Sequence, residues 1–187
     1  QSELTLTMII VFAALLCSSL SNAQAGLDVQ PVANTAAPTI VEYPVPTANS
    51  GLTALTVSPD TTAIWFVESL GNNVGRLTPD GQITEYPLLT AGSSPNDIVS
   101  APDGNLWVTE LIGKKLARIT PSGQVTEFPV ASHGHGPSQI IAGQGHLWAS
   151  IPDDNAVVKV TMAGVVTATF PISTTNVAPE GMAFGPD

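Results

Sequence analysis

Carboxylate and amide side chains recur at corresponding places along this chain. Glu68 and Glu110 each follow a tryptophan by three residues, and both Asn96-Asp97 and Glu180 follow a proline. Converging carboxylates can hold a hard cation, which prefers oxygen ligands. The same side chains can instead cap turns or accept hydrogen bonds from backbone N–H groups. We predict a ligand-binding face from the candidates Asn96, Asp97, Glu68, Glu110 and Glu180, and we assign no metal ligand among them.

Histidines offer a second set of candidate ligands. His133 and His135 form a His-x-His pair, and His146 lies just before Trp148. Such a pair ligates a metal only if its loop turns both rings toward one point, and a solvated polar loop is the alternative. Cys17 is the only cysteine. The chain contains no G-x-S-x-G, H-E-x-x-H, C-x-x-C or phosphate-loop motif.

The elements that must position these residues are repeated. Trp65, Trp107 and Trp148 recur at intervals of 42 and 41 residues. Periods in this range indicate an array or a propeller. The copies cover residues 40–82, 83–124 and 125–165, and a fourth copy, 166–187, is truncated.

Each copy contains four short strand-like segments separated by turn residues. In the second copy these are 97–100, 105–110, 115–120 and 124–129, with Pro102-Asp103-Gly104 and Pro121-Ser122-Gly123 between them. Proline presets φ for the first turn position, and glycine supplies the positive φ that follows. Four antiparallel strands per 42 residues predict an all-β fold, a β-propeller with three complete blades and partial ones. We expect the tryptophans to pack between blades.

The array has incomplete ends. Residues 40–44 read as a lone outer strand, and residues 179–184 read as an inner strand without its hairpin partner. We therefore expect this sequence to be an N-terminal fragment, and we expect self-association through its open edges.

The first 39 residues lack the repeat. Residues 8–16 are apolar but too few to span a bilayer as a helix, and Ala23-Gln24-Ala25 resembles a cleavage site. We predict a signal peptide over 1–25, a linker over 26–39 and the partial propeller over 40–187. The protein is then secreted and extracellular, or periplasmic in a bacterium.

The charge balance argues against two classes of partner. Five Lys and Arg stand against 15 Asp and Glu, which gives a formal net charge of −10. We expect neither nucleic-acid binding nor attachment to anionic membranes.

The repeats carry a family resemblance. It lies in the segments ITEYPLLTAGSSPNDIVSAPDGNLWVTE and VGRLTPDGQITEYP, which resemble the repeats of the virginiamycin B lyase (streptogramin lyase) family. The resemblance implies a seven-bladed full-length propeller that opens a cyclic depsipeptide by elimination across its ester bond. It also implies a divalent metal, usually magnesium, in the full-length protein, although none is evident in these repeats.

The catalytic residues of the family have no counterpart here. The resemblance implies a histidine base within a Glu-Pro-His-Gly segment, whereas the comparable openings are Ser94-Pro95-Asn96, Gly136-Pro137-Ser138 and Ala178-Pro179-Glu180. Glu68 and Glu110 do match a Trp-x-x-Glu position that the family uses for its metal. We therefore leave the catalytic residues unassigned and expect the fragment itself to be inactive.

Two functions remain open. The first is the N-terminal half of a secreted carbon–oxygen lyase. The alternative is a non-enzymatic secreted propeller that binds a small molecule, a glycan, a peptide or a partner protein on its loop face.

Overall fold

The computed structural model describes residues 7–10, 40–131, 134–174, 178–179 and 181–185. They form three four-stranded antiparallel sheets, each in simple chain order, and one two-stranded sheet. Within these described ranges there is no helix long and apolar enough to cross a membrane.

The strands follow the predicted repeat closely. β1 (Thr7–Ile10) and β2 (Val41–Pro44) form the small sheet. Blade one holds β3 (Leu52–Val57), β4 (Ile64–Glu68), β5 (Asn73–Leu77) and β6 (Ile83–Pro87). Blade two holds β7 (Pro95–Ser100), β8 (Leu106–Glu110), β9 (Lys115–Ile119) and β10 (Val125–Pro129). Blade three holds β11 (Ile140–Gly143), β12 (His146–Ile151), β13 (Ala156–Thr161) and β14 (Val166–Pro171).

The second strand of each blade is the most buried. Every residue of β8, with the sequence LWVTE, is buried, and β4 differs only at its first residue. A strand packed on both faces does not alternate between apolar and polar residues. The second strands are therefore covered on both faces.

The sequence predicted that all three tryptophans pack between blades, and the structure confirms this for Trp65 and Trp107. Trp65 clusters with Ile98 and Val108 of blade two, and Trp107 clusters with Leu147 of blade three. Both tryptophans have an exposed fraction of 0%. Trp148 is only half-buried, because the blade that carries it has no further complete blade beside it in the described chain.

An aromatic residue on each outer strand rests on a turn glycine of the next blade. A Cβ built on Gly123, whose φ is +87°, would lie 1.9 Å from the Tyr86 ring, and one on Gly164 would lie 2.1 Å from the Phe128 ring. The same arrangement joins Tyr43 to Gly81, at 2.6 Å. Glycine is thus needed here for close approach as well as for its positive φ.

The structure differs from the sequence prediction at both ends of the repeat array. The strand at residues 40–44 is not alone, because β1 pairs with β2 in antiparallel register from Thr7↔Pro44 to Ile10↔Val41. The inner strand predicted over 179–184 is wrong for the described residues there, which are not in a strand. An inner strand needs its hairpin neighbour for a hydrogen-bond ladder, and the described residues provide none. Instead Met182 and Phe184 line a groove with Trp148 on the open side of blade three.

Candidate functional site

Four of the candidate residues, Glu68, Asn96, Asp97 and Glu110, lie on one face of the blades, which we call the upper face. It comprises the starts of the first strands and the ends of the second strands. The register places Leu52 opposite Glu68 and Pro95 opposite Glu110, as the antiparallel order of the strands requires. The turns between the first and second strands, such as Pro102-Asp103-Gly104 in blade two, lie at the opposite edge.

Asn96 and Asp97 fasten blade two to blade three. The Asn96 side chain donates a hydrogen bond of 2.9 Å to the Ser138 carbonyl. The Asp97 carboxylate accepts bonds of 2.9 Å from the N–H groups of Ile98 and Ile140. Burial raises the pKa of Asp97, while these two backbone donors lower it. Both side chains are therefore committed to joining blades, whatever else they bind.

Thr109 completes this junction. Its hydroxyl accepts a hydrogen bond from the Asp97 N–H at 2.9 Å and donates one to the Ser138 carbonyl at 3.0 Å. The sequence analysis did not single out Thr109, which precedes Glu110 in the second strand. Thr109 is fully buried, with 0% exposure. A threonine suits this position better than an apolar residue, because its hydroxyl pairs two backbone groups that would otherwise lack a hydrogen-bond partner.

Glu110 is a buried carboxyl beside a second carboxyl. Its exposed fraction is 0%, and no donor in the part of the chain that the structure describes makes a hydrogen bond of good geometry to either oxygen. Burial raises the pKa of Glu110 to about 7, the nearby Glu127 carboxylate adds to the rise, and Ser93 and Lys115 oppose it. Glu110 therefore retains a proton well above the pH at which an exposed glutamate loses one.

The pKa of Glu127 is shifted in the opposite direction. Its side chain is 6% exposed and lies 2.8 Å from the Lys115 ammonium. Thr90 donates to it through its N–H at 2.8 Å and its hydroxyl at 2.6 Å. Burial raises the pKa of Glu127, but the hydrogen bonds from Lys115 and Thr90 outweigh it and bring the pKa to about 2. Glu127 is thus the ionised member of the pair.

Blade one contains the same pair with a different neighbour. Glu68 has 0% exposure, and burial, followed by the Glu85 carboxylate, raises its pKa to about 7. Thr47 donates to Glu85 through its N–H and its hydroxyl, each at 2.8 Å. The residue between the two glutamates is Asn73 here, where blade two has Lys115.

The remaining candidates do not join this arrangement. Glu180 and His133 lie outside the described residues. The His135 ring lies 3.0 Å from an Asp153 carboxylate oxygen, and His146 lies against the Gln144 carbonyl. Over the ranges that the structure describes, no three His, Cys, Asp or Glu side chains are grouped so as to hold a metal.

The second member of each carboxyl pair was missed by the sequence analysis. Glu85 and Glu127 recur at an interval of 42 residues, so a periodic signal exists. Their partners, Thr47 and Thr90, are 38 and 37 residues away in sequence. Only the packing of the inter-blade connection against the outer strand reveals the contact.

The fold has counterparts in known proteins. A sequence model described as the Virginiamycin B lyase family matches residues 30–187. A virginiamycin B lyase of Nocardia farcinica is 39% identical over 62 residues, which cover 33% of this chain and 22% of that protein. One of Bordetella pertussis is 37% identical over 59 residues, which cover 32% of this chain and 19% of that protein.

Solved structures cover more of the chain. The virginiamycin B lyase of Staphylococcus aureus superposes with a TM-score of 0.73 and 36% identity, over 77% of this chain and 49% of that one. A catalytically inactive histidine-to-alanine variant of the lyase from that organism, solved with quinupristin, gives 0.74 and 35%, over 79% and 50%. This chain thus matches about half the length of these relatives. The all-β propeller predicted from the repeats is confirmed, and the chain belongs to the Virginiamycin B lyase family.

Proposed function

We propose that this chain forms the N-terminal half of a secreted β-propeller lyase that opens cyclic depsipeptides by breaking a carbon–oxygen bond. The observation that carries the proposal is the likeness to the quinupristin-bound lyase, at 35% identity over 79% of this chain. The match to half of that relative's length supports assigning these blades to one half of a larger ring.

The reaction makes definite demands on the protein. Elimination across an ester removes a proton from one carbon, breaks the C–O bond at its neighbour, forms a C=C bond and releases a carboxylate. A base must reach the proton, and a positive group must stabilise the developing carboxylate.

The described blades do not meet these demands. At the start of the first strands, Asn96 and Asp97 are occupied by bonds to Ser138 and Ile140. Glu110 has an exposed fraction of 0%, so a substrate on the upper face cannot reach its carboxyl, and it is poorly placed to act as a base. We assign these blades a supporting role and place the chemistry in blades beyond them.

The magnesium implied by the family resemblance does not fit the residues described here. Glu68 and Glu110 match the Trp-x-x-Glu position, but each lies under the upper face with 0% exposure. A catalytic cation needs ligand positions open to substrate. No step in this chain is therefore derived through magnesium.

Export is also part of this proposal. We infer export from residues 1–25, with Ala23-Gln24-Ala25 as the cleavage site. N-terminal sequencing of the secreted product should find a start at or near Gly26. Recovery of the protein with residues 8–16 still attached would contradict the export proposal.

The activity test uses the open reading frame that contains this chain. The purified product, incubated with a streptogramin B antibiotic, should give a ring-opened product of unchanged mass, because elimination neither adds nor removes atoms. Hydrolysis would instead add one water. The chain expressed alone is the matched control and should leave the antibiotic intact.

A second outcome would favour the alternative function. Saturable binding of the antibiotic, a glycan or a peptide without any product would support a non-enzymatic binding propeller. Such a result would overturn the lyase proposal while leaving the family assignment unchanged.

A further inference from the structure

The residue just before the third strand of each blade has a left-handed backbone, and in blade two this residue is a lysine. Asn72, Lys114 and Asn155 occupy the position, with φ of 56°, 59° and 49°. Asparagine adopts this conformation more readily than most residues, whereas lysine there is uncommon. The three blades thus share one backbone turn, and blade two alone places a positive charge in it.

In blade one the asparagine fastens the connection that leads to the next blade. The Asn72 amide donates a hydrogen bond of 3.1 Å to the Thr90 carbonyl. Its oxygen accepts bonds of 2.8 and 2.9 Å from the N–H and the hydroxyl of Ser93. The side chain that suits the left-handed turn therefore also stabilises the junction between two blades.

Blade three repeats this arrangement, whereas blade two gives it up. The Asn155 amide donates a bond of 2.8 Å to the Ile172 carbonyl. Lys114 accepts a bond of 3.1 Å from the Val130 N–H through its backbone carbonyl, but its side chain does not bond to the connection. The packing of a blade therefore favours asparagine at this position and gives no reason for a lysine.

The charge of Lys114 has no partner within the described chain. The residue is half-buried, and its ammonium makes no hydrogen bond or ion pair to any described residue. Because the protein has a net charge of −10, an unpaired ammonium is a local exception that an anion can use. Three of the other four basic side chains lie against partners of their own, namely Lys115 against Glu127, Arg118 against Trp107 and Lys159 against Trp148.

His135 lies beside this lysine on the upper face. A Cβ built on the next residue, Gly136, would lie 2.4 Å from the Lys114 Cα, so the connection that enters blade three packs directly on the lysine backbone. The His135 side chain is 55% exposed. Asp153 holds it through the backbone N–H at 2.7 Å and through Nδ1 at 3.0 Å, which leaves Nε2 as the ring nitrogen that can meet a ligand.

His135 and Asp153 depart from the repeat as Lys114 does. The corresponding residues of the preceding repeat are Ser93, which is buried with 0% exposure, and Ile112, which is apolar. Forming a blade therefore requires neither an exposed imidazole nor a carboxylate at these positions. Three departures from the repeat meet at the junction of blades two and three.

We propose that Lys114 and His135 bind the carboxylate of a linear peptide. The ammonium forms an ion pair with the carboxylate, and Nε2 shares a proton with one of its oxygens. The ligand class rests on the proposed function, because ring opening by elimination releases a carboxylate at one end of the linear product. The site then holds the opened chain by its new end, and no catalytic step is assigned to it.

The test compares a carboxylate with its amide. The protein is the product of the open reading frame that contains this chain, and the ligand is a streptogramin B antibiotic linearised by alkaline hydrolysis of its ester. In calorimetric titration this acid should bind at least about tenfold more tightly than the same peptide with that carboxyl converted to an amide. An unrelated linear peptide acid identifies the source of the ligand: weaker binding assigns the site to the opened antibiotic, and equal binding assigns it to peptide C-termini in general.

Three variants separate binding from folding. Lys114→Asn restores the residue of blades one and three, so it should reduce the preference for the acid to less than about twofold while the melting temperature is kept or raised. His135→Ala should weaken binding of the acid and leave binding of the amide unchanged. Asn72→Lys is the matched control: it adds a lysine to blade one without a neighbouring histidine, and it should lower the melting temperature without strengthening binding of the acid.

Four results would overturn the inference. They are equal binding of acid and amide, no binding of either, an unchanged preference in Lys114→Asn, or a large fall in the melting temperature of that variant, which would show a structural lysine. A protein that prefers the acid but leaves the intact antibiotic unopened contradicts the lyase proposal alone. One that opens the antibiotic but shows no preference contradicts this inference alone.

Discussion

Blades two and three carry the same sequence repeat in different surroundings. Trp107 in blade two has 0% exposure and packs against Phe128, with ring centroids 5.4 Å apart and ring planes tilted by 33°. Trp148 in blade three stacks on Phe170 at 5.7 Å but is only half-buried. The contact within the blade is thus retained, while the burial depends on whether another complete blade lies alongside.

The polar groups differ between these blades too. Where blade two pairs Glu110 with Lys115, blade three pairs Ile151 with Ala156, and the latter two are 1% and 2% exposed. The buried carboxyl group is therefore not required to form a four-stranded blade. The repeat specifies strands and turns, whereas the residue at the end of the second strand is polar in some blades and apolar in others.

The largest expected effect concerns the uncovered faces. Leu55 of blade one is 58% exposed and Phe170 of blade three is 47% exposed. Apolar patches of this kind associate, so we expect residues 26–187, expressed alone, to dimerise or aggregate. Light scattering coupled to size-exclusion chromatography measures this, and a stable monomer at micromolar concentration would contradict it.

A matched pair of variants locates that association. Leu55→Lys should reduce it, because a charge on the open face of blade one opposes burial there. Leu70→Lys changes a residue that is 80% exposed in a loop, and it should leave the oligomeric state unaltered.

Next in size is the loss of a buried tryptophan. Trp107→Ala should lower the free energy of unfolding by about 3–5 kcal/mol, because it leaves a large cavity between blades two and three. Trp148→Ala should cost less than half as much, since part of that ring already faces solvent. Chemical denaturation with an intrinsic fluorescence or circular dichroism readout measures both, and equal losses would refute the contrast in burial.

The repeat made much of this predictable. A glycine after Pro-Asp and a tryptophan every 42 or so residues are local signals, and they were enough to place the four strands of blade two within about two residues of their observed bounds. The register that puts Glu68 opposite Leu52 follows from antiparallel order alone.

Contacts between connections and strands were beyond such reasoning. That Thr90 binds Glu127, or that Asp97 binds the N–H of Ile140, depends on how one sheet rotates against the next. Neither contact can be predicted from the residue spacing within a single repeat. The role of Glu180 as a binding-face candidate stays a prediction, because that residue lies outside the described ranges.

The carboxyl pair of blade two should make stability depend on pH. Glu110 has a folded pKa of about 7 against an ordinary value of 4.5. The folded state therefore binds the proton more tightly, and stability falls as pH rises from about 4.5 to 7. Glu110→Gln removes this loss, so it should stabilise the protein at about pH 8 by up to about 3 kcal/mol and have little effect near pH 4.5.

Glu127 supplies the opposite control within the same pair. Its folded pKa of about 2 lies below the ordinary 4.5. Its contribution is therefore present above about pH 4.5 and is lost as pH falls toward 2. Glu127→Gln should destabilise the protein at neutral pH, where Glu110→Gln stabilises it. Thermal melts across this pH range decide the matter, and variants that shift stability in the same direction at pH 8 would contradict the assignment of the proton.

The smallest expected effect concerns the junction at Asp97. Asp97→Ala leaves the N–H of Ile140, a residue only 3% exposed, without the 2.9 Å bond it donates. An unpaired buried donor costs about 1–3 kcal/mol. Gln139 occupies the corresponding position in blade three, and its backbone N–H, not its side chain, makes the bond to Ser150. Gln139→Ala should therefore change the free energy of unfolding by less than about 0.5 kcal/mol. Asp97→Asn, which keeps one carbonyl oxygen as an acceptor, should fall between the two. Denaturant titration of the three variants orders them, and an Asp97→Ala protein as stable as Gln139→Ala would mean that the hydrogen bond between blades contributes nothing to stability.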